Sequence, residues 1–291
     1  MRELLVGVCL AAATVAAAGQ HPPASGESQS FEVATLKQNT SGERLSGIRR
    51  LPGGRVVVTN MPARELITFA YQLGQYQLFG GPGWLAGDRF DITAKMQGNA
   101  EWEGPGSDRP DPIRVAMRGL LAERFTLKLH TESRELDAYA LVMVKAGVTG
   151  PRLRPSTTDC NALMQQARQG KQPPPPPATN GIAPCSMRTR IGQISFDGYP
   201  ISQAAGLMVF QAGRPVLDRT GLSGNWQFLM TFAPERPVGA PIPPGEQPPP
   251  ADPNAPSFFT ALQEQLGLKL ESTKAPFDVT VIDSAEHPAD D

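Results

Sequence analysis

Histidine, cysteine and net charge are all scarce in this 291-residue chain. It has three histidines and three cysteines, and 27 basic residues nearly balance 28 acidic ones, which gives a formal net charge of −1. So few imidazole and thiol groups leave little material for a metal site, and neither a metal nor another cofactor is expected. A balanced charge gives no overall electrostatic footprint for nucleic acid, so no nucleic-acid partner is expected either.

The apolar run at the N-terminus is short for a membrane span. Residues 4–18 are almost wholly apolar, whereas a spanning helix needs about 20 such residues. The run ends in Ala16-Ala17-Ala18, the small-residue pattern of a signal-peptidase site. The sequence therefore predicts a signal peptide over 1–18 and no stable membrane span after its cleavage; an uncleaved membrane anchor is the alternative.

Proline, glycine and apolar residues are abundant. The chain has 30 prolines and 29 glycines, and 40% of its residues are hydrophobic. That apolar content is enough for a packed core and excludes wholesale disorder. The length is typical of about two domains.

The cysteines support export. Cys9 would leave with the signal peptide, and the mature chain would keep Cys160 and Cys185. An even pair in an oxidising compartment predicts a disulfide, two free thiols being the alternative. The expected location is periplasmic or secreted.

Hydrophobic periodicity predicts alternating strands and helices in the first half. Helices are expected to begin at Pro62, ending at Gly74, and at Asp111-Pro112, where the aspartate would cap and the proline would occupy the first turn. The last two strands are expected to form a hairpin. The predicted strands cover 31–36, 55–59, 75–79, 89–96, 125–132 and 139–144.

The second half repeats this plan. Helices are expected after Pro200 and after Ser257, and the last two strands are again expected to form a hairpin. The motif Leu127-Lys128-Leu129 recurs as Leu268-Lys269-Leu270, and Pro62 recurs as Pro200 at nearly the same spacing. These matches indicate an internal duplication. The predicted strands here cover 215–217, 226–232, 268–271 and 278–282.

The predicted fold class is therefore α+β, with two related modules, each a small mixed sheet with two helices. Pro173 to Pro177 form a five-proline run, which is stiff and extended, so the modules are expected to be joined by a Pro-rich linker that the disulfide pinches. The predicted domains are a signal peptide over 1–18, a flexible tail over 19–30, a first module over 31–149, the linker over 150–190 and a second module over 191–291.

Six segments of the chain together form a specific sequence pattern. They are Phe31-Glu32-Val33-Ala34, Gly80-Gly81-Pro82-Gly83-Trp84-Leu85, Asp88-Arg89-Phe90-Asp91-Ile92, Leu121-Ala122-Glu123-Arg124-Phe125-Thr126-Leu127-Lys128-Leu129-His130, Val216-Leu217-Asp218-Arg219-Thr220-Gly221-Leu222 and Leu262-Gln263-Glu264-Gln265-Leu266-Gly267-Leu268-Lys269-Leu270-Glu271.

In combination these segments resemble an uncharacterised family of exported soil-bacterial proteins that is abundant in acidobacteria. The resemblance covers residues 31–288 and implies no established activity; relatives fused to membrane sensor-peptidase segments imply sensing. Each half also resembles, more loosely, the short N-terminal domain of secretins and TonB-dependent receptors, best over 196–282, which implies docking of periplasmic proteins.

Five residues are candidates for binding. Trp84, beside glycines, is either an exposed recognition aromatic or packed over its turn. Asp88 with Arg89, and Asp218 with Arg219, are two acid–base pairs at turns that the repeat makes equivalent. They either bind a ligand or cap their turns and pair locally.

The favoured function is a non-catalytic protein-interaction or sensing module at the cell envelope, with an envelope protein as partner. Sheet edges and the grooves beside the helices are the expected contact surfaces. No catalytic residue is assigned, and the oligomeric state is left open. One alternative is a hydrolase that uses Asp88, Asp218 and His130, which would have to converge in one pocket. The other is a binder of a small ligand at the interface of the two modules.

Overall fold

The computed structural model describes residues 29–43, 45–98, 110–171, 176–179, 181–233 and 254–289. The predicted signal peptide, most of the predicted tail and part of the five-proline run lie outside these ranges. Helices and strands alternate along the described residues, and the strands form three four-stranded sheets. This confirms the predicted mixture of helix and sheet.

The N-terminal sheet is antiparallel throughout. Its four strands are β1 (Phe31–Asn39), β2 (Gly47–Leu51), β3 (Arg55–Pro62) and β5 (Arg89–Met96). Their order in space is β1-β5-β3-β2. Inward-facing residues alternate with more exposed ones, as in β3, where Val56 and Val58 are buried.

The C-terminal sheet is also antiparallel. Its four strands are β7 (Arg154–Pro155), β8 (Met187–Arg190), β9 (Gln193–Pro200) and β11 (Asn225–Thr231). Their order in space is β7-β11-β9-β8. When the strands of the two sheets are matched in chain order, their spatial orders are the same.

The central sheet is mixed and takes strands from both halves of the chain. Its two long strands, β6 (Lys128–Met143) and β12 (Leu268–Ser284), pair antiparallel along nearly their whole length. Two short strands flank them in parallel: β4 (Leu78–Gly80) pairs with β12, and β10 (Val216–Asp218) pairs with β6. Each long strand is thus flanked by a short strand from the other half of the chain.

Four of the six described helices begin where the sequence predicted. The helices are α1 (Ala63–Tyr71), α2 (Trp84–Gly87), α3 (Pro112–Arg124), α4 (Cys160–Arg168), α5 (Ile201–Ala212) and α6 (Phe258–Ala261), with a 3₁₀ turn over Gln75–Gln77 and a π-turn over Leu262–Leu266. The predicted ones are α1, α3, α5 and α6, whereas α2 and α4 were not predicted. Asp111 caps α3 by accepting a hydrogen bond from the Ile113 backbone N–H at 3.1 Å, and Ser257 caps α6 through the Thr260 N–H. Pro62 and Pro200 precede α1 and α5 with nearly the same backbone angles, φ −59° and ψ 143° or 147°.

Each half has an irregularity at the same place in its sheet. Asn60 (φ 50°) lies at a register break in β3, and Gly198 (φ 82°) lies at a break in β9. Both residues adopt the left-handed region, which glycine enters freely and asparagine more readily than most residues. The bulge lets each strand turn directly into its following helix.

Each hydrophobic core includes the end of a long strand from the other half of the chain. The first core, between the N-terminal sheet, α1 and α3, contains Phe90 and Phe125 and also Ile282 from β12. The second core, between the C-terminal sheet, α5 and α6, contains Phe196 and also Leu141 from β6. A division of the chain at residues 149 and 191 therefore leaves each core without one of its strands.

Several local predictions were wrong. The two expected hairpins do not form. Most of 125–132 and 139–144 lies in the single strand β6, and 268–271 and 278–282 lie in the single strand β12, which pairs with β6. Helix α1 ends at Tyr71, with Gln72 in the left-handed region (φ 57°), and not at Gly74. Part of the predicted linker joins the C-terminal sheet as β7 and part forms α4.

Candidate functional site

Trp84 packs at the rim of the first core. Its indole stacks on Phe125 at 6.1 Å between ring centroids with 17° between the planes, and it meets Phe90 edge-on at 6.4 Å. The imidazole of His287 lies 5.0 Å from it. Trp84 therefore packs against its neighbours, as the second of the two interpretations expects. Its ring is half-buried, so only part of it is accessible to a partner.

Asp88 contacts the C-terminal segment. Its carboxylate lies 3.1 Å from Nε2 of His287, and the neighbouring Glu286 donates its backbone N–H to the Phe125 carbonyl at 2.7 Å. Residues 285–289 are therefore docked on the first core beside Trp84. No sequence pattern predicted this docking, since a lone histidine near a terminus carries little information.

Arg89 stabilises the bulge of β3. Its guanidinium donates to the Asn60 carbonyl oxygen at 2.8 Å, and the Asn60 N–H donates to Asp91 at 2.7 Å. Asn39 donates to both oxygens of the same carboxylate. These bonds give Arg89 a positioning role within its own sheet.

Asp218 caps the turn that follows β10. Its Oδ1 accepts hydrogen bonds from the backbone N–H and the hydroxyl of Thr220, at 2.9 and 2.7 Å. The backbone of Arg219 donates to the Leu141 carbonyl at 2.9 Å. The two acid–base pairs are not at equivalent turns, since Asp218 ends β10 while Asp88 precedes β5.

His130 forms an exposed polar cluster on the central sheet. Its Nδ1 lies 2.6 Å from Asp283 and its Nε2 lies 3.5 Å from Glu132. The hydrogen bond to Asp283 raises the pKa of His130 above its ordinary value, and the Glu132 carboxylate adds to this effect. Arg134 also binds Glu132 and lowers its pKa.

The structure does not bring His130 and Asp218 together. His130 lies opposite Val281 in β12, and Asp218 lies beside Leu141, far along β6 from His130. A strand rises about 3.3 Å per residue, so the two positions are about 36 Å apart along it. Catalytic hydrogen bonds need roughly 3 Å, and these residues do not form one active site.

A groove of about 690 Å³ runs beside α1, and we call it the α1 groove. On one side Arg114 of α3 lies 4.7 Å over the Phe69 ring and donates to the Phe69 carbonyl at 3.0 Å. Sequence reasoning placed contact surfaces beside the helices but could not place this groove, because its walls come from separate segments. Its lining residues are Ile48, Met61, Glu65, Thr68, Phe69, Gln72, Leu73, Gly74, Gln75 and Arg114.

The predicted disulfide is present between Cys160 and Cys185, with a Cα–Cα distance of 5.5 Å. It ties α4 to the segment before β8. Asp197 is buried beneath this loop, where its carboxylate accepts bonds from the Ser156 hydroxyl and the Cys185 N–H. A second cavity of about 300 Å³ lies between α4 and Pro176-Pro177.

Neither of these two cavities is lined by residues of both predicted modules, as the alternative of a ligand site at the module interface would require. Across the ranges that the structure describes, no three His, Cys, Asp or Glu side chains are grouped closely enough to hold a metal ion. In the same ranges no helix has the length and apolar content to cross a membrane.

The fold and its surfaces define a disulfide-bonded protein of mixed helix and sheet, with an open groove beside α1. By sequence, the chain belongs to the family described as Protein of unknown function (DUF3738), whose model matches residues 64–285. This confirms the prediction of an uncharacterised family. No curated protein and no solved structure matched the chain.

Proposed function

We propose that the protein is exported and acts as a non-catalytic interaction or sensing module at the cell envelope, with a protein partner bound in the α1 groove. The groove is the observation that carries this proposal. It combines apolar side chains such as Met61 and Leu73 with polar ones such as Glu65 and Gln72. A partly apolar surface with polar groups around it is typical of a protein-binding site.

Export is supported by two features. The N-terminal pattern is that of a signal peptide, although it lies outside the described residues. The Cys160–Cys185 disulfide is of the kind that persists in oxidising compartments.

The modular part of the proposal is supported by the matching sheets. We infer that the two halves are copies of one α+β unit, since they share the strand order, the proline before the helix and a bulge with a positive φ two residues before that proline. The loose resemblance to periplasmic docking domains agrees with this interpretation but is an analogy of fold.

Photo-crosslinking in the native envelope tests the proposal. A photoreactive residue at Gln72, which is exposed in the α1 groove, is expected to capture one envelope protein. The adduct should be lost when Thr68→Arg fills the groove. The matched control is the same residue at Lys274, which is exposed on β12. No adduct at Gln72, or the same adducts at both positions, would contradict the proposal.

A further inference from the structure

The C-terminal sheet ends in a strand with one open side. β8 pairs with β9 on one side, and no other described strand pairs with it on the other. All four of its residues are exposed. An edge strand with unpaired backbone groups is a template for a strand from another chain. We call Met187–Arg190 the β8 edge.

One face of the β8 edge is basic. Met187 and Thr189 lie opposite Phe196 and Ile194, which belong to the second core. Side chains alternate across a strand, so Arg188 and Arg190 lie on the opposite face. In the described part of the chain neither arginine has an ion pair or a side-chain hydrogen bond.

This basic charge has no counter-charge on the strands of its own sheet. Residues 145–233 hold nine Lys and Arg but only three Asp and no Glu. Asp197 is the one acid in β7, β8, β9 and β11, and it is 2% exposed with its carboxylate bound by Ser156 and Cys185. An anionic group on a partner segment would therefore complement Arg188 and Arg190.

The other face of the β8 edge, on the side of helix α5, is apolar. Helix α5 packs against both β9 and β8, and it carries no charged residue. Its Phe210 is 89% exposed and Met187 is 40% exposed. An exposed apolar residue in an edge strand, with a second one on the helix that packs against that strand, favours binding of another chain.

We propose that the β8 edge binds an extended segment of a partner protein whose acidic and apolar side chains alternate. The segment would add a strand beside β8 through backbone hydrogen bonds. Its acidic side chains would pair with Arg188 and Arg190, and its apolar side chains would lie toward Met187 and Phe210. The inference rests on the proposed interaction function and names the chemistry of a partner.

Fluorescence anisotropy with synthetic peptides tests this proposal on the full chain. The probe is a labelled heptapeptide that alternates Glu and Val, and it is expected to bind saturably. Arg188→Glu with Arg190→Glu should weaken binding by about tenfold or more, since both charge pairs become repulsive. Phe210→Ser should also weaken it. Arg49→Glu, an exposed arginine on β2, is the matched control and should leave the affinity unchanged.

Two further probes separate strand addition from simple charge attraction. A peptide methylated on alternate backbone nitrogens should lose binding, because it cannot donate to the edge. A Lys–Val peptide should bind about tenfold or more weakly. The proposal is overturned if the Glu–Val peptide does not bind, in which case the arginines merely protect the edge from aggregation. It is also overturned if the double charge reversal has no effect. Binding of polygalacturonate, an anionic polysaccharide without a peptide backbone, in place of the peptide would overturn it as well.

The variants should keep the circular dichroism spectrum and melting temperature of the parent, because all four changed side chains are exposed. The peptide titration and the crosslinking at Gln72 concern different surfaces. Crosslinking can therefore fail while the peptide binds, and the peptide can fail to bind while crosslinking succeeds, so the two failures are distinguishable.

Discussion

Gly198 shows how one residue supports both the bulge and the disulfide. Its φ of 82° lies in the region that disfavours a side chain, and a Cβ there would lie 2.3 Å from the Cys160 sulfur. The matching Asn60 carries a side chain, which bonds to a loop carbonyl. The position therefore holds different residues in the two halves.

Gly198→Ala is expected to lower the free energy of unfolding by about 1–3 kcal/mol, because the left-handed backbone and the close sulfur both oppose a Cβ. Urea unfolding followed by circular dichroism measures this. Gly206→Ala is the control: a Cβ there meets nothing within 4 Å, so the helix should gain about 0.5–1 kcal/mol. Equal effects of the two substitutions would refute the account of Gly198.

The His130 cluster predicts a pH dependence. The pKa of His130 is raised above 6.5, chiefly by its hydrogen bond to Asp283. A raised pKa in the folded state means that the pair stabilises the protein below the unfolded-state pKa and that this contribution is lost as the pH rises through the folded-state pKa. The side chains are exposed, so solvent screening keeps the contribution small.

NMR titration of the His130 ring protons checks this. Asp283→Asn should move the pKa of His130 down toward 6.5, because the strongest acceptor for its proton is removed. Glu135→Gln, which changes an exposed acid that binds Lys274 on the same sheet, should leave it in place. A His130 pKa that does not respond to Asp283→Asn would show that the hydrogen bond does not form in solution.

At the scale of elements, local chemistry identified four of the six described helices and missed α2 and α4. Asp111, Ser257 and Pro62 predicted helix starts because capping and proline geometry are determined within one turn. The residues between the expected hairpin strands were misread. The segment Ser133 to Asp137 is largely polar because that part of the paired long strands is exposed or half-buried, and it contains neither glycine nor proline.

The disulfide joins α4 to the segment before β8, and its contribution to stability can be tested simply. Cys160→Ser with Cys185→Ser is expected to lower the free energy of unfolding by about 3.5 kcal/mol, from the entropy of a 25-residue separation in the unfolded chain. Urea unfolding of the parent with and without reductant provides the comparison. Because only the disulfide is in question, reductant should not alter the double variant; a further loss there would contradict this prediction.

At the scale of the whole molecule, the contribution of each long strand to the core of the other half was not predictable from local patterns. The repeated Leu-Lys-Leu motif indicated a duplication, but nothing in the periodicity specifies which distant strand pairs with which. Register between strands that lie in opposite halves of the sequence depends on the completed cores, where Ile282 contacts the first half and Leu141 the second. The expected equivalence of the Asp88 and Asp218 turns was wrong for the same reason, since the two turns were matched by sequence alone.

Ile282→Ala should therefore destabilise the first core although it lies near the C-terminus. Ile282 is 4% exposed, and truncation of such a residue costs about 2–5 kcal/mol. Hydrogen exchange should show lost protection in β5 and α1 before β9 and α5. Val281→Ala, which removes a half-buried neighbour on the other face of β12, is the control. Loss of protection confined to the C-terminal sheet would contradict the assignment of Ile282 to the first core.

Direct cross-linking of the two long strands is the sharpest test that β6 of the first half pairs with β12 of the second half. Ser133 lies opposite Asp278 in the β6–β12 pair, and both are exposed. In the variant Ser133→Cys with Asp278→Cys, mild oxidation should join these residues within one chain, as peptide mapping would show. Failure to form this bond, together with cross-linking of Ser133→Cys to an engineered Cys at Tyr139, would instead place residues 125–144 in a local hairpin.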